Sequence, residues 1–120
     1  MENVKIHFSM AVDGVTGTVF EVDGKRIGSK LFFDDPEAYR YKIDVHGTSV
    51  KIERTGITSM KLLLRTDELT QGTLLTEGFT IPFTVLTHQI TLTNTLLLVK
   101  YDMLDEDKII SAHQMLIKWI

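Results

Sequence analysis

The chain has no cysteine, two prolines and one tryptophan, and none of its apolar runs approaches the roughly 18 residues needed to cross a membrane as a helix. Without cysteine, disulfides and thiolate metal sites are excluded outright. Basic residues are not in excess: 13 Lys and Arg stand against 16 Asp and Glu, for a net charge of −3. No stripe of the kind a phosphate backbone requires is present, so neither nucleic acid nor a membrane is an expected partner. The opening MENVKIHF is acidic and alternating, unlike a basic segment followed by an apolar one, and we expect a cytoplasmic protein that starts at Met1. A phosphate-cradling glycine loop, a nucleophile elbow, an HExxH helix and a calcium loop are all missing. An enzyme is therefore not expected, nor a cofactor. The four histidines, His7, His46, His88 and His113, lack the short spacing common among metal ligands, and no metal is expected.

What is present is an ordinary globular composition, 43% hydrophobic and 24% charged, in 120 residues that suit one domain spanning the whole chain. Turn signals recur at short intervals: Asp13-Gly14, Asp23-Gly24, Asp34-Asp35-Pro36, His46-Gly47, Thr55-Gly56, Gln71-Gly72, Glu77-Gly78, Thr93-Asn94 and Asp105-Glu106. Between them lie alternating β-branched and aromatic runs, so the expected architecture is an all-β antiparallel sandwich or barrel. The first run is the cleanest. Val4, Ile6, Phe8, Met10 and Val12 share one face, and Asn3, Lys5, His7, Ser9 and Asp13 share the other.

Register can be tested as well as pattern. A two-residue loop at His46-Gly47 sets Val45, Ile43, Tyr41 and Tyr39 against Thr48, Val50, Ile52 and Arg54. A three-residue loop over Thr55–Ile57 then sets Thr58, Met60, Leu62 and Leu64 against Arg54, Ile52, Val50 and Thr48. A tight turn at Thr93-Asn94 pairs Leu92, Ile90, His88 and Leu86 with Thr95, Leu97, Val99 and Tyr101. In the stretch FTIPFTVLTHQITLT the apolar residues sit on odd numbers as far as Val85 and on even numbers from Leu86. One extra residue near Val85-Leu86, a β-bulge, would keep Phe79, Ile81, Phe83, Leu86, His88 and Ile90 all facing inward. Bulges let strands turn corners, as a closed barrel requires, and Pro82 suits an edge or a bulge. The closing ISAHQMLIKWI is apolar on both faces near its end, so either Ile109, Ser111, His113, Met115, Ile117 and Trp119 or the opposite set faces in. An outer apolar face there would mean a covered edge or a homodimer contact.

From VKIERTG through LLTEGFTIPFTVLT to LLVKYDML and the closing MLIKWI, the chain resembles the small bacterial calycin-like family of unknown function typified by YwiB. The resemblance rests on Arg54 followed by Gly56, on Met60, on Thr76 with Gly78, and on Tyr101. The chain departs from that family where a Tyr precedes the Thr and a Pro follows it, since Leu74, Leu75 and Glu77 stand there. The resemblance implies a single calycin-like or lipocalin-like antiparallel barrel and no activity.

The registers turn Arg54, His88, Tyr39, Tyr41 and Tyr101 inward although all are polar. An inward cation needs a carboxylate, carbonyls, an aromatic face or an anion, and Tyr39 is the nearest partner for Arg54. Arg54 then either closes one barrel end, stacked on Tyr39, or grips with the phenols the polar head of a small, largely apolar or acidic ligand. His88, flanked by inward Leu86 and Ile90, is expected to be a neutral core histidine. The Thr-rich outer face (Thr84, Thr87, Thr91 and Thr93) and the acidic stretch Asp102, Asp105, Glu106 and Asp107 are expected to be solvated. Two functions follow: a barrel holding a small ligand in its interior, or a structural or interaction protein with a filled core, which the many large inward residues favour. An enzyme would use His88 as acid and base, yet no nucleophile falls beside it.

Overall fold

In the computed structural model, which describes residues 1–120, the chain forms ten strands: β1 (Glu2–Val12), β2 (Val15–Ile27), β3 (Lys30–Asp34), β4 (Arg40–His46), β5 (Ser49–Thr55), β6 (Ser59–Arg65), β7 (Leu69–Thr76), β8 (Phe79–Leu92), β9 (Leu96–Asp105) and β10 (Lys108–Trp119). Each pairs antiparallel with the next, and β10 pairs back onto β1, giving a closed up-and-down barrel without a sheet edge. There is no helix long and apolar enough to cross a membrane. The turns after β1, β3, β5, β7 and β9 form one end, termed upper here, and both termini and the remaining turns form the lower end.

Local chemistry explains the meander. Asp13-Gly14 and Glu77-Gly78 take φ of 51° and 81°, and 47° and 80°, the positive pair that a two-residue hairpin turn needs. Register shifts at Met10/Ala11, Thr87/Gln89 and Ile109/Ser111 add the local twist that lets the sheet curl on itself. The alternate inward residues then meet across the lumen, and Ile6, Ile43, Val50, Leu64, Val85, Val99 and Ile117 are fully sealed within an 18-residue cluster. The barrel waist is therefore packed with side chains and not hollow.

Several expectations need correction. Asp23-Gly24 and Gln71-Gly72 are not turns but lie inside β2 and β7. Both glycines mark close approaches instead: the Phe83 ring sits where a Gly72 side chain would be, and a Cβ on Gly24 would come within 2.7 Å of Ile6 Cγ1 and 2.8 Å of the Phe32 carbonyl oxygen. The β4–β5 turn is at Gly47-Thr48, with Tyr41 opposite Arg54, Ile43 opposite Ile52 and Val45 opposite Val50. Met60 accordingly meets Arg54, Leu62 meets Ile52 and Leu64 meets Val50. Both registers differ from expectation by two residues, which leaves every side chain on its expected face. The β8–β9 connection is longer than expected, with Leu92 opposite Leu97 and Ile90 opposite Val99.

The bulge expected near Val85-Leu86 falls at His88, three positions after Val85. Thr87 consequently points inward and is fully buried, against its expected place on the solvated face, and His88 points outward. Phe79 and Ile81 are 69% and 48% exposed because the β7–β8 hairpin outruns β9, whose pairing with β8 begins at Thr84. Pro82 lies in that overhang, where its missing N–H costs no bond to β9. In β10 the odd-numbered set faces in from Ser111 to Trp119, Ile109 is exposed beyond the shift, and the strand is no edge.

Gly24→Ala provides a direct check on the packing. One of the two colliding atoms is backbone and cannot rotate away, so a loss of about 1–3 kcal/mol is expected in urea unfolding. A change of only a few tenths would mean that the sheet shifts there freely.

Candidate functional site

Arg54 is the penultimate residue of β5 and faces inward near the upper end, between Tyr41 of β4 and Met60 of β6. Its stacking partner is set by the β3–β4 loop. The Asp35 carboxylate accepts hydrogen bonds from the N–H groups of Glu37 and Tyr39, both at 2.9 Å, and Ala38 takes φ of 67°. This Asx turn lays the Tyr39 ring 4.7 Å from the Arg54 guanidinium. Gly56 lies against the same ring, close enough that any side chain at 56 would strike Tyr39 Cδ1. The spacing of Arg54 and Gly56 thus has a physical basis: one residue supplies the cation and the other leaves room for the ring on which it stacks.

The guanidinium is poorly satisfied. Its Nη2 donates to Thr58 Oγ1 at 3.3 Å, its Nε is buried with no acceptor, and none of the chain's ion pairs includes it. Below it Tyr41 stacks on Phe33 with ring centres 4.8 Å apart. Burial pushes the Tyr41 phenol pKa up, against the charge of Arg54 and a weak polar contact with its guanidinium that falls short of hydrogen-bond geometry, and the charges of Asp35 and Glu37 add to the rise. The Tyr101 phenol is pushed up further, chiefly by burial, with Tyr41 adding and Arg54 opposing. Both phenols therefore stay neutral at physiological pH and can donate.

His113 stacks on Tyr101 with ring centres 4.9 Å apart and planes within 3°, and its Nε2 lies 2.7 Å from Ser111 Oγ. No carboxylate is hydrogen-bonded to this ring. Burial lowers its pKa below 6.5, against the charges of Asp13 and Asp102, so the imidazole is neutral at pH 7. The sign of the linkage follows. As pH falls below about 6.5 the unfolded chain takes up a proton that native His113 refuses, so acid erodes stability until the native ring also protonates. His113→Gln is expected to flatten that part of the stability–pH profile in urea melts from pH 7 to 5, and a profile parallel to that of the parent protein would contradict it.

The structure thus brings together four of the five residues singled out from the sequence: Tyr39, Tyr41, Arg54 and Tyr101. It does not bring His88 to them. His88 is on the outer surface, its side chain half exposed, with Nε2 2.7 Å from a carboxylate oxygen of Asp102. Asp102 itself is 8% exposed, so it is not part of a solvated acidic tip. His113, Ser111, Thr58 and Asp102 were not singled out. Fixing the facing of β10 would have found His113, because the odd-numbered set places it directly against Tyr101.

Around this polar group the upper end is apolar. Met10, Met60, Phe83 and Met103 face in and are partly buried, and Phe79, Ile81 and Ile57 are exposed on the overhanging tips. Two grooves, of about 820 and 750 Å³, lie elsewhere, against the barrel's outer face on β1 and β2, the first extending onto β10 and the second onto β3.

Fold and site together define a closed ten-stranded antiparallel barrel with a packed waist and, at its upper end, Arg54 stacked on Tyr39 above the buried phenols of Tyr41 and Tyr101. A solved structure with the same fold is that of the ywiB protein from Bacillus subtilis, which matches with a TM-score of 0.74 at 17% identity over 98% of this chain and 89% of that one. At that identity the likeness is one of fold, and at that level it agrees with the family resemblance seen in the sequence. No protein-family model matches the chain, and no curated protein does.

Proposed function

We propose that the protein is a binding module whose upper mouth takes the acidic head of a small amphiphilic molecule. The observation that carries this is the state of Arg54: a half-buried cation, held flat on Tyr39, with one N–H desolvated and no carboxylate beside it. Nη2 is held by Thr58 and Nε is sealed, whereas Nη1 is neither bonded nor sealed and is the donor an arriving carboxylate would meet. Tyr41 and Tyr101 add neutral donors, while Met10, Met60 and Met103 offer the adaptable apolar contacts that suit a flexible tail. Because the waist is packed, the ligand sits at the mouth and not deep in the interior as the sequence suggested. Thermal melts against decanoate, dodecanoate and the matching alcohols, together with native mass spectrometry of freshly purified protein, test the proposal. Stabilisation by the acids and not by the alcohols is expected, and no shift with any of them would overturn it.

A second function has one observation in its favour, the groove of about 820 Å³ lined in part by Val19, Leu96, Leu116 and Ile120. It suits an interaction protein with a filled core. A doubled mass without ligand stabilisation would move the assignment there.

A further inference from the structure

The lower end carries an opening of its own, about 350 Å³ in volume, with a different chemistry. Arg26 of β2, Leu31 of β3, Val45 of β4, Leu92 of β8 and Trp119 of β10 line it, and Lys30 stands at its rim. The lining holds no carboxylate, and of its two cations only Arg26 shares the lumen face with Leu31, since Lys30 stands on the outer face opposite Asp44. The nearest acids by strand pairing are Glu2, opposite Arg26, and Asp44, opposite Lys30. Glu2 forms no ion pair with Arg26, and the Asp44 oxygens are taken by Ser29 Oγ at 2.8 Å and His46 Nε2 at 3.0 Å.

Two features make this a built site and not a chance gap. The Arg26 guanidinium lies 5.9 Å from the Trp119 ring centre, at the outer limit of a cation–π contact. Trp119 is 5% exposed, its strand end is pinned by its own N–H on the Thr95 carbonyl at 3.0 Å, and its Nε1–H is buried without an acceptor. Buried indole N–H groups normally find a partner, and this one has none in the protein.

We infer that the lower opening is a second binding site, specific for a small carboxylate with a short apolar body. The carboxylate meets the fork of Arg26, and a small outward movement of the Trp119 end would bring the sealed indole N–H within reach of a ligand oxygen. The apolar body rests on Leu31, Val45 and Leu92. The volume lies at the small end of the range for organic-ligand sites, which excludes a long chain. The packed waist, including Ile43, Leu97 and Ile117, separates this site from the upper mouth, so the two fill independently.

The chain's single tryptophan sits in the site, so its emission reports this end of the barrel and not the other. Titration with sodium hexanoate, against sodium chloride at matched ionic strength, should change Trp119 emission saturably. Arg26→Gln should weaken that binding at least about tenfold, and Arg26→Lys, which keeps the charge but not the fork, should also weaken it if the Gln variant fails to fold. Lys61→Gln, on the exposed face of β6 and outside both sites, should leave it unchanged. The inference is overturned by an unsaturable response, by unaltered binding in folded Arg26 variants, by loss of the response in Lys61→Gln, or by inorganic phosphate binding as tightly as hexanoate.

Discussion

Phe8→Ala is expected to remove about 3–5 kcal/mol of folding stability, a large share of what a domain of this size possesses. Phe8 is 3% exposed and stacks on Phe20 with ring centres 4.6 Å apart, while Tyr41 and Phe33 lie at 5.6 and 6.2 Å. The four rings come from β1, β2, β3 and β4, consecutive strands of a closed sheet. Closure matters to the cost. Partial collapse into a void lowers the penalty of a deleted side chain, but these strands are held in register on both sides, so the gap should stay open. Urea unfolding followed by circular dichroism measures the loss. A loss below about 1 kcal/mol would mean that the neighbouring rings close the gap. Because Tyr41 rests on Phe8 and stands opposite Arg54, the variant should also loosen the upper mouth.

The same closed sheet explains what could be read from the sequence and what could not. Facing was legible because strand side chains alternate with period two, and the hairpin registers at β4–β5 and β5–β6 were displaced by two, which preserves facing. Arg54, Tyr41 and Tyr101 therefore face inward as expected. Register itself depends on which residues form each turn, and Gly47, with φ of 57°, drew the β4–β5 turn one position further than His46-Gly47. A bulge, by contrast, moves facing by one. Val85, Leu86 and Thr87 are all good strand formers, so nothing local places the extra residue, and its position at His88 follows from pairing with β9. The two strand glycines failed for a similar reason. What holds Gly24 is Ile6 and the β3 backbone, and what holds Gly72 is a ring 11 positions away in Phe83, contacts that exist only once the strands are assembled. The Arg54 stack on Tyr39 was reached through a wrong register, since the ring comes from the loop and not from the opposing strand position.

Arg54→Leu is expected to abolish stabilisation by an amphiphilic acid at the upper mouth while leaving the fold nearly as stable as before. Charge-assisted hydrogen bonds contribute about 1.5–3 kcal/mol, so the affinity should fall by about 10- to 150-fold. Stability responds to opposing effects. Leucine relieves the desolvated, unpartnered Nε, worth about 1–3 kcal/mol, and forfeits the guanidinium–Tyr39 contact, worth about 0.5–2 kcal/mol. These nearly cancel, which is what separates a ligand-gripping residue from a plug. If Arg54 merely closed the barrel end, its removal would open the Tyr39–Gly56 stack to water, and the melting temperature would drop with no change in acid binding. Arg54→Lys sharpens the distinction, because it keeps the charge but not the flat fork. Gripping predicts intermediate affinity at full stability, whereas a plug predicts a stability loss close to that of leucine. Melts of the parent and both variants, with and without decanoate, decide between them, and retained stabilisation by decanoate in folded Arg54→Leu would remove Arg54 from the site.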